Sequence, residues 1–110
     1  MFQIETISAK MLDYYVERSD AVIIDLRDPV SYKKGHVRSA VNIPYHELEE
    51  YLEKKQDQRY QFPKDKILIL YCDRGGASMQ AARSLARAGC RTRSVIGGFA
   101  AYRGRNLVSG

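Results

Sequence analysis

The sequence has few of the residues that mark specialised protein classes. Of its 110 residues only two are cysteine, three are proline and none is tryptophan. Two cysteines are too few for a disulfide scaffold and favour a reducing compartment. No apolar run approaches the roughly 18 residues of a membrane span, and no basic segment with an apolar stretch behind it opens the chain. We therefore expect a cytoplasmic protein without a membrane partner.

Composition and length also limit the fold. Apolar residues make up 45% of the chain and charged residues 28%, which is ordinary for a globular protein and excludes a fibre or a disordered tail. At about 100–200 residues per domain, the length predicts one domain over residues 1–110. We expect residues 104–110 to fray as a tail.

Acidic residues are missing from the last third of the chain. Residues 1–73 hold eleven basic and thirteen acidic side chains, a net charge of −2, whereas residues 74–110 hold seven arginines and no acid, a net of +7. Such a stretch favours anions, and arginine suits the bidentate recognition of oxyanions. Aromatic residues are too sparse among these arginines for a single-strand binder. We expect a small anionic partner and no nucleic acid.

Short apolar runs alternate with helical patterns. Residues 21–24 and 67–70 are unbroken and rich in β-branched side chains, which is typical of strands covered on both faces. Weaker candidates of this kind are residues 40–43 and 94–96. Three helices are predicted: one capped by Ser8, one around residues 47–55 and one over residues 78–88 that ends at Gly89. This alternation predicts an α/β domain with a mainly parallel sheet.

Cys72 stands between a predicted strand and a predicted helix. Ligands of parallel sheets bind at the carboxyl ends of the strands, and a loop with Gly75 and Gly76 can turn its N–H groups inward as an anion-binding nest. The following helix N-terminus favours the same charge, so both effects stabilise a thiolate. Arg74 adds a positive charge and Asp73 opposes it. We expect Ser78 to cap the helix or to donate a hydrogen bond into the nest.

Phosphoryl chemistry is disfavoured at this loop. Protein tyrosine phosphatases use a Cys-x5-Arg loop, in which the arginine closes on a tetrahedral phosphate. The residue six positions after Cys72 is Ser78. The loop is therefore too short to place an arginine there.

Four motifs follow one another along the chain. They are an Asp-x-Arg at Asp25 and Arg27, a tyrosine with Gly-His-Val and Asn-Ile-Pro over residues 32–44, a Cys-x-x-Gly-x-x-Ser loop over residues 72–78, and a Gly-Gly-Phe over residues 97–99 with Tyr102 behind it. In this order they resemble the rhodanese family of sulfurtransferases, and the resemblance covers nearly the whole chain.

The resemblance implies a rhodanese-like fold with five central strands and helices on both faces. It implies that Cys72 takes a sulfane sulfur from a donor such as thiosulfate, holds it as a persulfide and passes it to cyanide or to a thiol acceptor, which includes a sulfur-carrier protein. No metal or cofactor is needed, because this is nucleophilic catalysis with an anion held by N–H groups. The cradle would be formed by Gly75, Gly76, Ala77 and Ser78, with Arg74 as the substrate-facing cation.

The same resemblance assigns supporting roles. Asp25 and Arg27 are expected to form an ion pair that braces the loops of the site, and His36 to fix a turn by hydrogen bonding. Three positions depart from the family pattern. Ala77 replaces an arginine or polar residue and weakens the case for thiosulfate as donor, while Ser39 for glycine and Tyr102 for tryptophan are interpreted as packing variation.

Two alternatives to an enzyme remain open at this point. One is a non-catalytic rhodanese-like module that binds a partner protein, and the other is a redox sensor using the same thiolate. Retention of Cys72 favours the enzyme. We interpret His46 as a surface or capping residue, and Cys90 as a buried, inert thiol that lies too far from Cys72 for a disulfide.

Overall fold

A computed structural model describes residues 4–54 and 62–110, and its centre is a parallel sheet. The strands, in chain order, are β1 Glu5–Ser8, β2 Ala21–Asp25, β3 His36–Val37, β4 Val41–Asn42, β5 Ile67–Tyr71, β6 Arg91–Ile96 and β7 Leu107–Val108. Five of them form one sheet in the order β1-β6-β5-β2-β4, and every neighbouring pair in it is parallel. Strands β3 and β7 pair separately and antiparallel.

Helices cover both faces of this sheet. They are α1 Leu12–Val16, which continues a 3-10 turn over Ala9–Met11, α2 Pro29–Lys34, α3 Tyr45–Glu53 and α4 Gly76–Arg87. Leu12 and Tyr15 of α1 pack into the apolar cluster on one face. Leu48 of α3 and Leu85 of α4 pack into the cluster on the other face. The predicted fold, a parallel five-stranded sheet between helices, is confirmed.

Strand β5 shows why its sequence does not alternate. All five of its residues are buried. Ile67, Ile69 and Tyr71 belong to the cluster under α1, and Leu68 and Leu70 to the cluster under α3 and α4. Successive side chains point to opposite faces, so a central strand needs apolar residues at every position.

Several element boundaries differ from the predicted ones. Helix α4 begins at Gly76, two residues before the predicted Ser78, and α3 begins at Tyr45. Residues 55–61, which include the end of the predicted second helix, lie outside the described residues. Ser8 precedes the first helical turn but makes no side-chain cap bond.

Helix α2 begins directly after Asp28, where the sequence had predicted no helix. The carboxylate of Asp28 accepts hydrogen bonds from the N–H and the hydroxyl of Ser31, 3.0 and 2.9 Å away. Pro29 occupies the first helical position, where its missing N–H costs nothing. The pair is therefore a helix start with an aspartate cap.

The predicted frayed tail is wrong where residues 106–108 are concerned. Leu107 and Val108 pair with Val37 and His36. Asn106 is buried, and its side-chain amide donates to Asp13, 2.9 Å away. Contacts with residues about 70 and 90 positions away hold this segment, so composition alone does not reveal them.

Ser39 has an unusual backbone conformation, whereas its replacement of the family's glycine was predicted to be only a variation in packing. Its φ of 71° is the only positive φ at a non-glycine position among the described residues. The left-handed region costs an L-residue about 1–2 kcal/mol. A glycine at this position meets no such cost, which accounts for the glycine in the family pattern.

The long apolar helix that a bilayer crossing requires is absent from the described residues.

Candidate active site

Three neighbouring strand ends form the site. Strands β5, β2 and β4 lie side by side and run in one direction, so the residues that follow them meet at one edge of the sheet. Main-chain hydrogen bonds join these ends: the N–H of Leu26 donates to the carbonyl of Tyr71 at 2.8 Å, and the N–H of Tyr45 to the carbonyl of Leu26 at 2.9 Å. Main-chain hydrogen bonds hold this edge together, so its geometry does not depend on the identity of the side chains.

Cys72 lies at the bottom of a cleft on this edge. The cleft has a volume of about 580 Å³ and is lined by Leu26, Arg27, Asp28, Pro44, Tyr45, His46, Cys72, Asp73, Arg74, Gly76 and Ala77. The cysteine is a free thiol with 7% of its surface exposed. Its sulfur accepts the N–H of Gly75 at 3.0 Å. One amide donor therefore contacts the sulfur of a residue that lines the cleft.

The loop around Cys72 turns directly into α4. Gly75 has a φ of 109°, in the region that favours glycine. Its carbonyl accepts the N–H of Met79 at 3.2 Å, which closes the first turn of the helix. The N–H groups of Gly76, Ala77 and Ser78 belong to that first turn, where no intrahelical acceptor exists for them. They are the remaining donors of the predicted cradle, and the helix dipole adds to their positive potential.

Gly98 packs against the loop that begins at Cys72. The N–H of Phe99 donates to the carbonyl of Cys72 at 2.8 Å, and that of Ala100 to the carbonyl of Asp73 at 3.0 Å. A Cβ on Gly98 would lie 2.4 Å from the Cys72 carbonyl oxygen. Only glycine permits this approach, so the Gly-Gly-Phe motif is needed to seat the Cys72 loop.

Ser78 acts on the loop and does not cap the helix with its side chain. Its hydroxyl donates to the carbonyl of Gly75 at 3.0 Å and shares a hydrogen bond with the hydroxyl of Ser94 at 2.8 Å. The residue is fully buried. Helix α4 is preceded by Gly75, and no side-chain cap is present there. The hydroxyl therefore ties the loop to strand β6.

Two charged residues stand at the mouth of the cleft. Asp73 and Arg74 are both exposed and both line it. Within residues 4–54 and 62–110 the Arg74 guanidinium makes no hydrogen bond or ion pair, so it is available to an anionic ligand.

Asp25 and Arg27 form the ion pair expected from the motif. The Nη2 of Arg27 lies 2.8 Å from Oδ2 of Asp25, and both side chains are almost completely buried. Burial lowers the pKa of Arg27, but the hydrogen bonds and charge of Asp25 outweigh this, so the pKa lies above its ordinary value. The same Nη2 donates to the carbonyl of Gly35 at 2.6 Å, and the guanidinium stacks on the Phe99 ring, 3.9 Å from its centroid. Arg27 thus joins the β2 loop to the motif that carries the Cys72 loop.

His36 lies apart from the cleft. It is buried, its Nδ1 is 2.8 Å from the Tyr32 carbonyl oxygen, and its ring stacks on the Tyr32 ring with centroids 3.8 Å apart. It is not among the residues that line the Cys72 cleft. Its contacts hold the end of α2 against β3.

Tyr45 and His46 are site residues that the sequence analysis did not identify. They open helix α3 directly after β4, and both line the cleft. His46 is exposed, as predicted, but it is exposed toward the site. The available signal was the candidate strand over residues 40–43: its carboxyl end had to lie at the same sheet edge as Cys72.

The second cysteine lies at the far end of α4. Cys90 is a buried free thiol in the apolar cluster under α3 and α4, and its main-chain N–H closes the end of the helix on the Leu85 carbonyl at 3.0 Å. Both cysteines are free thiols, and they lie at opposite ends of α4.

Comparison with known proteins is consistent with this geometry. In a comparison with protein families, the family described as "Rhodanese-like domain" matches residues 8–105 of this chain. A thiosulfate sulfurtransferase GlpE from Coxiella burnetii is 33% identical over 95 residues, which span 86% of this chain and 82% of the relative. Among solved structures, a rhodanese-like domain protein from Staphylococcus aureus superposes with a TM-score of 0.79 at 22% identity, covering 97% of this chain and 99% of that one.

A second solved structure is itself a rhodanese. A rhodanese with anions from E. coli has a TM-score of 0.62 and 28% identity, and the match covers 82% of this chain and 99% of that chain. The order of the four motifs, the fold and the matched domain agree with one another. The chain belongs to the rhodanese-like domain family, whose relatives include sulfurtransferases.

Proposed function

We propose that this protein is a sulfurtransferase in which Cys72 carries the sulfur as a persulfide. The observation that carries the proposal is that the sulfur of Cys72 accepts the Gly75 N–H at 3.0 Å while Cys72 lines the cleft. An amide donor at the start of a helix stabilises a thiolate. A thiolate that faces a cleft can act as a nucleophile, whereas one sealed in the core cannot.

The proposed step transfers one sulfur atom. The Cys72 thiolate attacks the outer sulfur of thiosulfate, a new S–S bond forms, and the bond to the sulfonate sulfur breaks with its electron pair. Sulfite leaves with two negative charges, and the Cys72 persulfide keeps one. The total of three negative charges is conserved. A thiol acceptor, or cyanide, then removes the terminal sulfur and restores the thiolate.

Main-chain N–H groups at the start of α4 suit an anionic donor. The negative charge moves from the cysteine sulfur to the sulfur beyond it, where the first-turn N–H groups of Gly76 and Ala77 are available. We expect Arg74, which lines the cleft, to contact the donor and to compensate for the apolar side chain of Ala77. At about 580 Å³ the cleft also admits larger persulfides, since cavities of about 300–1,000 Å³ hold drug-sized ligands.

The donor class, the acceptor and the location are parts of the same proposal. We expect a small anionic sulfur donor and a thiol acceptor, free or on a sulfur-carrier protein. A reducing compartment such as the cytoplasm suits two free thiols. The activity in the name of the Coxiella relative supports thiosulfate as a donor to test first.

Mass spectrometry of the intact protein tests the proposal directly. After incubation with thiosulfate, wild type is expected to gain one sulfur atom, and a reductant is expected to remove it. Cys72→Ser must gain nothing, while the matched variant Cys90→Ser must gain the sulfur as wild type does. If thiosulfate fails to load wild type, a cysteine persulfide is the second donor. Failure with both donors contradicts the enzyme and favours a recognition or redox-sensing module.

A further inference from the structure

The charges that line the Cys72 cleft cancel one another. Arg27 and Arg74 contribute two positive charges, and Asp28 and Asp73 two negative ones. Asp25 adds a further negative charge behind Arg27, 2.8 Å from it, and the Cys72 thiolate adds another. A dianion such as thiosulfate therefore gains little net attraction from these groups.

His46 is the one histidine among the described residues that line the cleft. The histidine side chain carries a positive charge when it is protonated and none when it is neutral. Arginine stays charged, hydrogen bonds from Ser31 hold the pKa of Asp28 below its usual value, and burial with the nearby Glu49 raises the pKa of Tyr45. A proton on His46 therefore adds a positive charge to a lining in which the arginines and Asp28 keep theirs.

The groups that line the cleft together with His46, or lie on its own helix, come from four elements. The β2 loop presents Arg27 and Asp28, the β5 loop presents Cys72, Asp73 and Arg74, and α4 contributes only the uncharged Gly76 and Ala77 to the lining. Its own helix α3 carries the acids Glu47, Glu49, Glu50 and Glu53, and Glu49 is turned toward Ser84 of α4.

We propose that His46 is a specificity-determining residue that selects sulfur donors by charge. The proposal rests on the proposed function and refines it. Protonated His46 gives the cleft an added positive charge and favours dianionic donors, whereas neutral His46 removes that preference. His46 acts on the donor through its charge, from the lining of the cleft. The bonds that form and break in the transfer step are those described above.

Two donors that share a reacting sulfane sulfur isolate this effect. Thiosulfate carries two negative charges, and methanethiosulfonate carries one. With methanethiosulfonate the same thiolate attack forms the Cys72 persulfide and releases methanesulfinate, so the charge is again conserved. The ratio of the two kcat/KM values cancels the titration of Cys72, because both donors meet the same thiolate.

We expect the thiosulfate-to-methanethiosulfonate ratio to fall about two- to fivefold from pH 5.5 to pH 8 in wild type, the size of one partly exposed charge interaction. In His46→Gln the ratio is expected to be constant at the wild-type value of high pH. In His46→Lys it is expected to be constant near the value of low pH. A wild-type ratio that does not change with pH, or a fall that persists in His46→Gln, overturns the proposal.

A binding measurement separates this proposal from the proposed function. By reciprocity, if a proton on His46 favours the dianion, the dianion must favour the proton. Thiosulfate added to Cys72→Ser is expected to raise the midpoint of the His46 ring titration in NMR, assigned by its loss in His46→Gln, while His36 stays unchanged. An unchanged midpoint overturns the proposal. If neither donor loads Cys72 in wild type, the cysteine persulfide described above decides the proposed function, and this titration still decides whether His46 senses a dianion.

Discussion

The two cysteines of this protein lie at opposite ends of one helix and do not differ in burial. Cys72 and Cys90 are both free thiols with 7% exposure. Both lie near a glycine in the left-handed region, Gly75 with a φ of 109° and Gly89 with a φ of 94°. Both even belong to the same apolar cluster. Burial therefore does not distinguish a nucleophile from a core residue.

What differs is the backbone that each sulfur faces. The Cys72 sulfur accepts the Gly75 N–H at the positive end of α4. Cys90 lies at the negative end, where its sulfur is 3.8 Å from the Lys64 ammonium. The ammonium also donates to the Ala88 carbonyl, so its charge is shared with the helix end. Helix direction, more than a neighbouring cation, separates the two thiols.

The largest expected effect comes from a substitution that disturbs the packing of Gly98 against the Cys72 loop. Gly98→Ala places a Cβ 2.4 Å from the Cys72 carbonyl oxygen at a positive φ. We expect the free energy of unfolding to fall by roughly 2–4 kcal/mol and sulfur loading to be lost. Urea unfolding measures the first effect and intact mass the second.

The matched control for this variant is Gly76→Ala. Its added Cβ meets nothing within 4 Å, so the stability of the fold should be unchanged. Equal losses of stability in the two variants would show that the contact of Gly98 with the loop is not what seats Cys72.

Alkylation sharpens the contrast between the two sulfurs. We expect iodoacetamide to modify Cys72 on the order of 10- to 100-fold faster than Cys90 under native conditions, because the amide donor and the helix N-terminus favour the thiolate. Rates are read by mass spectrometry in Cys90→Ser and Cys72→Ser, each of which leaves one thiol. Similar rates in the two variants would contradict the role assigned to helix direction.

Substitutions at the two glycines with positive φ, Gly75 and Gly89, are expected to differ by a smaller amount in their effect on stability. A Cβ on Gly75 would lie 3.3 Å from the main-chain nitrogen of Gly97, whereas one on Gly89 would meet only the end of the Lys64 side chain at that distance. We expect Gly75→Ala to cost roughly 2 kcal/mol and Gly89→Ala about 1 kcal/mol. Thermal unfolding of the two variants measures which substitution costs more stability. A larger cost at Gly89 would contradict the assignment of the tighter contact to Gly75.

The smallest expected effect concerns Lys64. Lys64→Met removes the donor to the Ala88 carbonyl and the cation at the negative end of α4. We expect a loss of about 0.5–1 kcal/mol in the free energy of unfolding. Sulfur loading of Cys72 at the other end should not change. A loss of loading would show that the two ends of α4 are coupled.

Much of the fold and the centre of the site could be predicted from local patterns. The unbroken runs over residues 21–24 and 67–70 indicated strands covered on both faces, and β2 and β5 hold those positions. The order of strand, Cys72, glycine loop and helix predicted Cys72 as the reactive sulfur. Each of these signals is carried by neighbouring residues, whose spacing reflects the period of a strand or a helix.

Other features were missed because they depend on contacts between distant segments. Strand β1 has a single partly buried apolar residue, Ile7, since it is an edge strand. Strand β7 exists through its pairing with β3. The place of His46 on the cleft follows from the position of β4 beside β2, which no local pattern records.

The amino-acid sequence by itself determined which sulfur is placed on an anion-binding turn, because the residues of that turn are contiguous and their geometry is local. Only the tertiary structure decided what faces that sulfur. The close approach of Gly98 to the loop, the ion pair of Arg27 stacked on Phe99 and the position of His46 across the cleft each join separate segments. Such contacts form where packed strands bring their ends together, so their chemistry is set by the order of strands in the sheet.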